Sequence, residues 1–168
     1  QKRKLNCRAF KCGPDYIDPM FHKYVLGIDG GNLDTFFLSE EAVRNQFKEL
    51  AAGADLSVVE GVMGYYDGVG GNDTWASSYD TARTIDTPVV LILDGRGASL
   101  SLAAEIKGFL EYKKDSRIQG VILNRVSRVM AERLVPEIEK MGIAVYGCLP
   151  ECDAAKVTSR HLGLVIPE

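Results

Sequence analysis

No apolar run in the sequence approaches the roughly 18 residues that a membrane-spanning helix needs. No stretch has the charged, apolar and small-residue order of a signal peptide. Histidine is scarce: His22 and His161 are too few for a histidine-rich metal site. Cysteine occurs four times, as Cys7, Cys12, Cys148 and Cys152, but in no C-x-x-C pair and in no secreted disulfide spacing. Reduced, partly buried thiols are the expectation. Neither sign of charge dominates; a formal net charge of −3 gives no electrostatic reason for nucleic acid or an anionic membrane as a partner. Internal repeats and low-complexity linkers are also lacking. These absences leave a soluble, cytoplasmic globular protein as the expectation. The 168 residues, 46% hydrophobic and 26% charged, suit a single domain spanning 1–168 with a substantial core.

What is present is a repeated alternation. "CRAFKC" (7–12), "LSVVEG" (56–61), "PVVLILD" (88–94), "IQGVILN" (118–124) and "IAVYGCLP" (143–150) read as strands. Several are apolar on successive residues, as suits a parallel sheet covered on both faces. Between them, residues 39–54 read as a helix with Ser39 as N-cap, acids in the first turn and Gly53 as the stop. Residues 99–114 place Leu102, Ile106, Phe109 and Leu110 on one helical face. A third helix is expected from Ser127 to Met141, kinked or divided at Pro136. The order implies a doubly wound α/β domain built on a mostly parallel sheet. The longest irregular stretch is 64–78, a length at which loops are often functional. The opening "QKRKLN" reads as the basic end of a helix running into a strand, so a preceding segment is expected.

In such a sheet, ligands gather beyond the carboxyl ends of the strands. The unusual residues fall there. Lys11, Asp15 and Asp18 follow the first strand, Glu60 ends the second and Asp94 the third; Asn124 and Arg125 end the fourth, and Pro150 and Glu151 the fifth. Any one of these also reads as a solvated strand end or turn. Together, Asp15, Asp18 and Glu60 suit a hard cation such as Mg²⁺, which takes one or two carboxylates with phosphate oxygens and water. Lys11 nearby suits phosphate or developing negative charge, and Gly61, after Glu60, lets backbone approach a ligand closely. The pattern points to phosphoryl transfer.

The segments "FKCGPDYIDPMFH", "NLDTFF", "AAGADLSVVEGVMGYYDG", "TPVVLILDGRG", "QGVILNRV" and "SRHLGLV" carry a resemblance across nearly the whole chain. In that order they resemble the ATP-binding domain of the cobyrinic acid a,c-diamide synthases, glutamine-dependent amidating ligases. The pairing of "GPDYIDP" with "EGVMGYYDG" sets it apart from cobyric acid synthases and from dethiobiotin synthetases, which share the P-loop NTPase-like fold. The resemblance implies ATP and Mg²⁺ as cofactors. A tetrapyrrole carboxylate would attack the γ-phosphate, and ammonia from glutamine would then displace phosphate. It implies Asp15 and Glu60 as Mg²⁺ ligands, directly or through water. Asp18 and Asp67 would orient substrate, metal-bound water or ammonia, and Lys11 would neutralise phosphate charge. Tyr16 and Ile17 would contact the corrinoid. Asn124 would bond the adenine edge, with Pro150 packed on the base, and Arg125 would be either a nucleotide contact or a solvated arginine. The substrate choice between cobyrinate, hydrogenobyrinate and nickel sirohydrochlorin stays open, and a homodimer is compatible with all of them.

Two parts of the family pattern are missing from the sequence. No G-x-x-x-x-G-K-[ST] phosphate loop occurs; "DGGNLD" and "DGVGGND" lack the Lys-Ser/Thr pair. No Cys-His-Glu set for hydrolysing glutamine occurs, and His161 belongs to the "SRHLGLV" tail. The domain is therefore expected to be incomplete at its N-terminus, lacking a central strand and so leaving pairing edges and apolar surface open. A glutaminase domain is expected C-terminal to it, and the segment alone is expected to be inactive. The competing expectations are a binding module without nucleotide turnover, and a related ligase such as dethiobiotin synthetase.

Overall fold

A computed structural model describes residues 3–153, 159–160 and 163–164. The chain gathers into two compact units, the first running to Asp86 and the second beginning at Thr87. In the first, β1 (Cys7–Cys12) is followed by α1 (Ile17–Tyr24), β2 (Gly30–Leu33), α2 (Glu40–Leu50), β3 (Leu56–Glu60) and α3 (Ser78–Thr84). β1 is the centre of a three-stranded parallel sheet of order β2-β1-β3. Its register sets Lys11 opposite both Asn32 and Glu60. Because side chains alternate along a strand, Phe10 and Lys11 face opposite ways. Phe10, Leu33 and Val43 are fully buried together, with Phe47, Ala51, Val59 and Ile85 packed around them. Phe10 meets the ring of Phe47 at 5.1 Å between centroids. α2 is anchored by Ser39, whose hydroxyl accepts from the Ala42 N–H, as its position before two acids implies.

The second unit contains β4 (Val89–Asp94), α4 (Ser101–Tyr112), β5 (Ile118–Asn124), α5 (Arg128–Glu139) and β6 (Ala144–Leu149). It forms another three-stranded parallel sheet, of order β4-β5-β6. Asp94, Asn124 and Leu149 end level with one another. Leu102 and Ile106 turn the buried face of α4 inward. Ser127 caps α5 through the Met130 N–H, and the helix runs through Pro136 undivided, which removes the divided form of the expectation. Two short antiparallel strands, β7 (Ser159–Arg160) and β8 (Gly163–Leu164), group with the first unit.

The parallel α/β architecture read from the sequence is present, with its six parallel strands divided between two sheets. Besides the short β7 and β8, three elements were not anticipated. α1 replaces what reads as a turn, β2 lies within "DGGNLD", and α3 follows the long loop. Two-faced coverage holds at the inner strands but not at β3 and β4. Among the described residues β3 pairs only with β1, and β4 only with β5. On these edge strands Leu56, Val58, Val90 and Ile92 are exposed. No helix among the described residues is long and apolar enough to cross a membrane.

Candidate active site

The carboxyl end of the first sheet collects charge around one lysine. Lys11, the penultimate residue of β1, is buried, yet its ammonium lies 2.5 Å from Asp18 Oδ2, 3.0 Å from Glu60 Oε1 and 4.0 Å from Asp15 Oδ2. Burial acts to lower the Lys11 pKa. The hydrogen bonds and charges of Asp18 and Glu60 outweigh it, so the group is held above its ordinary value. The lysine is a locked cation at working pH. Glu60 comes to it through the β1–β3 register, and Asp18 through the first turn of α1, where an acid also suits the helix dipole.

Asp15 has a second task. It stands just before the N-cap Tyr16, and its Oδ1 accepts from the N–H groups of Ile17 and Asp18. Two donors that the helix start would leave unpaired are thereby satisfied. Its backbone carbonyl accepts in turn from Asn32 Nδ2 at the end of β2. The spacing Asp15-x-x-Asp18 thus starts a helix and aims two carboxylates at one edge. Tyr16 projects from this turn and is 78% exposed, while Ile17 is half-buried.

The loop after β3 is held by its glycines and acids. A side chain at Gly61 would collide with Ser78 Oγ, which accepts from the Val62 N–H and donates to the Val62 carbonyl. Gly61 therefore admits α3 to the strand end. Gly64 makes room for the Asp67 carboxylate, which accepts from the Gly64 N–H at 2.9 Å. Asp67 closes that turn.

His22 was not singled out by the sequence. It lies on α1 four residues after Asp18, on the same helical face, with Nε2 3.4 Å from Glu60 Oε2. The readable signal was Asp15 as a cap followed by Pro19 in a first turn, where proline is tolerated. Read as a helix, that segment puts His22 beside Asp18.

The second sheet carries its candidates separately. Asp94 and Arg125 form a two-pronged ion pair, Nε to Oδ1 at 2.8 Å and Nη2 to Oδ2. The Arg96 N–H, helped by Arg125, holds the Asp94 carboxyl below its usual range against desolvation, which acts to raise it. Asn124 Oδ1 accepts from the N–H of Arg125, whose φ of 58° is left-handed. Asn124 keeps its side-chain N–H groups for another acceptor. Pro150 follows β6 directly. His161 lies outside the described residues.

The donors on the first sheet are carboxylate oxygens, suited to Mg²⁺ and poorly suited to softer metals. Glu60, 51% exposed, and Asp15, 29% exposed, keep lone pairs accessible, so the residues fit a cation held with few protein ligands. Among the described residues no three His, Cys, Asp or Glu side chains converge into a ready-made cage. The Lys11 ammonium occupies the centre of the acids.

A family model described as an AAA domain matches residues 35–157. The chain is 41% identical over 165 residues to a cobyrinate a,c-diamide synthase of Caldanaerobacter subterraneus subsp. tengcongensis, covering 97% of this chain and 36% of that protein. It is 43% identical to the cobyrinate a,c-diamide synthase of Gloeobacter violaceus, covering 96% of this chain and 36% of that protein. It is 42% identical to the hydrogenobyrinate a,c-diamide synthase of Streptomyces coelicolor, covering 97% of this chain and 34% of that protein. The resemblance read in "GPDYIDP" and "EGVMGYYDG" is thus borne out, over little more than a third of each relative's length.

Proposed function

We propose, for a chain that belongs to the AAA domain family with its P-loop-type α/β fold, that it is the substrate-activating part of an ATP-dependent amidoligase acting on a corrin-type tetrapyrrole. The observation that carries the proposal is the acid cluster around Lys11, set at the end of β1 and β3 within the two most specific motifs. A carboxylate cannot expel oxide, so amidation needs a better leaving group. A substrate carboxylate oxygen bonds the γ-phosphorus, the bond to the ADP oxygen breaks, and an acyl phosphate results. Ammonia supplied from glutamine then attacks the acyl carbon, phosphate departs with the bonding pair, and one proton is lost from nitrogen.

Mg²⁺ held by Asp15 and Glu60 would supply charge neutralisation at the phosphates when bound. The chain's own residues position and balance charge. Lys11, fixed by Asp18, offers a permanent cation to the transferring phosphoryl group. Exposed Tyr16 and half-buried Ile17 offer a contact beside the acids for the macrocycle. Asp67 orients the loop that bears Glu60's neighbours, and with Asp18 it favours the approach of ammonia. In the second unit Asn124 offers donors to an adenine edge, Pro150 an apolar face, and Arg125 a cation near the nucleotide. The open apolar edges of β3 and β4 support a further strand, with its phosphate loop, in the working domain. The chain's span of 36% of two of its relatives leaves length for a glutaminase domain, and a cytoplasmic enzyme belongs to the same reading.

The test is Glu60→Gln in the full-length gene product, assayed with ATP, Mg²⁺, glutamine and cobyrinic or hydrogenobyrinic acid. The amidated product should form about 100-fold more slowly, with an unchanged circular dichroism spectrum. Near-normal turnover at saturating Mg²⁺ would remove Glu60 from the metal site.

A further inference from the structure

Glu60 carries the most exposed carboxylate of the cluster and sits at the last position of an edge strand. Such a side chain has rotamer freedom to lose, and a metal or phosphate site works only if the oxygens are held in place. One oxygen, Oε1, is held by Lys11 at 3.0 Å. The other, Oε2, faces His22 Nε2 at 3.4 Å, longer than a well-formed hydrogen bond but within the range that closes when a site is loaded. The His22 side chain is only 14% exposed. Its backbone is fixed in the last turn of α1, where its carbonyl accepts from the Ile28 N–H at 2.9 Å.

The ring has one polar contact and one orphan. Among the described residues Nδ1 is buried and has no hydrogen-bond partner. A proton on Nδ1 would be a buried donor with nothing to receive it, costlier than an unused lone pair. The proton therefore belongs on Nε2, where it points at Glu60. We propose that His22 is a positioning residue: by donating from Nε2 to Glu60 Oε2 it completes, with Lys11, a two-point grip on the Glu60 carboxylate. His22 touches neither substrate nor phosphate. Its catalytic weight, resting on the ligase reading above, comes only through where it puts Glu60.

The side-chain amides of glutamine and asparagine separate this role from simple packing. The amide nitrogen of Gln overlays Nε2 of histidine, whereas that of Asn overlays Nδ1. In the full-length gene product, His22→Ala should lower kcat for amidation about 10-fold with KM for ATP unchanged, the usual scale for a residue that orients a metal ligand. His22→Gln should restore most of that loss and His22→Asn should not. Crystal structures of the Ala and Gln variants should show the Glu60 carboxylate turned away from Lys11 in the first and retained in the second. An unmoved Glu60 in His22→Ala, or equal losses in the Gln and Asn variants, overturns the proposal. Should the wild-type protein show no amidation of any corrinoid, the ligase reading fails alone, and the Glu60 geometry in the variants still decides the role of His22.

Discussion

At the end of β1 one lysine answers three carboxylates; at the end of β5 one arginine answers one. Both clusters sit on the carboxyl edge of a three-stranded parallel sheet, yet their charge balance differs. The Asp94–Arg125 pair is neutral, two-pronged and partly exposed, and each charge answers the other. The Lys11 cluster is buried at its cation and left with excess acid, which water or a bound cation must offset. Self-satisfied pairs hold loops in place. An unbalanced cluster keeps charge available to something that arrives, which is what the proposed site requires.

Breaking the comparison at its centre gives the largest effect. Lys11→Met keeps the length and removes the cation, leaving Asp15, Asp18 and Glu60 facing one another. Amidation should fall about 100- to 1000-fold. Stability should drop by about 2 kcal/mol, below the usual cost of breaking a buried pair because Glu60 is half in water. A urea titration showing no loss would mean that water already carries the charge of the acids.

The next effect is in pH. The Lys11 pKa is raised in the folded state, so its contribution to stability is complete below the ordinary lysine value, about 10.4. It is lost as pH rises through the folded value. Asp94 behaves in the opposite sense. Its folded pKa is depressed, so its contribution is present above about 3.9 and is lost as pH falls through the folded value. Thermal midpoints across pH should therefore show an alkaline limb that Lys11→Met abolishes and an acid limb that Asp94→Asn abolishes. The second should be much the smaller, and 1 M salt should flatten it. An alkaline limb that survives in Lys11→Met would assign it elsewhere.

The smallest effect is chemical accessibility. Cys12 adjoins Lys11 and is buried, and burial raises its thiol pKa; Cys152 is exposed. Iodoacetamide at pH 8, read by peptide mass spectrometry, should modify Cys152 first and Cys12 last. The Lys11 charge acts to lower the Cys12 pKa, so in Lys11→Met the lag should shorten only if the end of β1 opens. An unchanged lag would show that the end of β1 stays closed without its cation.

Much of this molecule was legible because its main strands are short apolar runs, β-branched in β3, β4 and β5. β1 and β5 fall on the residues read from sequence, and β3, β4 and β6 end within a residue of it. β2 was not legible: "GGNL" has no strand propensity and is a strand only because the free edge of β1 pairs with it. α3 hid for a different reason. Its residues SYDTART are polar, yet six of the seven are buried, held by side-chain hydrogen bonds that composition does not reveal. At the site, the residue types were legible and their distances were not. Nothing in the sequence says that Lys11 lies opposite Glu60, since parallel register is fixed by packing of Phe10 far more than by either charge. That is also why His22 escaped notice: its significance depends on a neighbour 38 positions away in the sequence.

The alternation along β1 makes the strand a hinge between two kinds of failure. Phe10 fills the core beside Val43 while Lys11, one residue on, holds the acids. Deleting a single residue ahead of them would rotate every following side chain by half a turn, driving an ammonium toward Phe47 and a phenyl ring toward Asp18. Foldability and the proposed chemistry are thus written on the two sides of one ribbon. Substitutions can tune either side independently, but a change in chain length here must damage both at once.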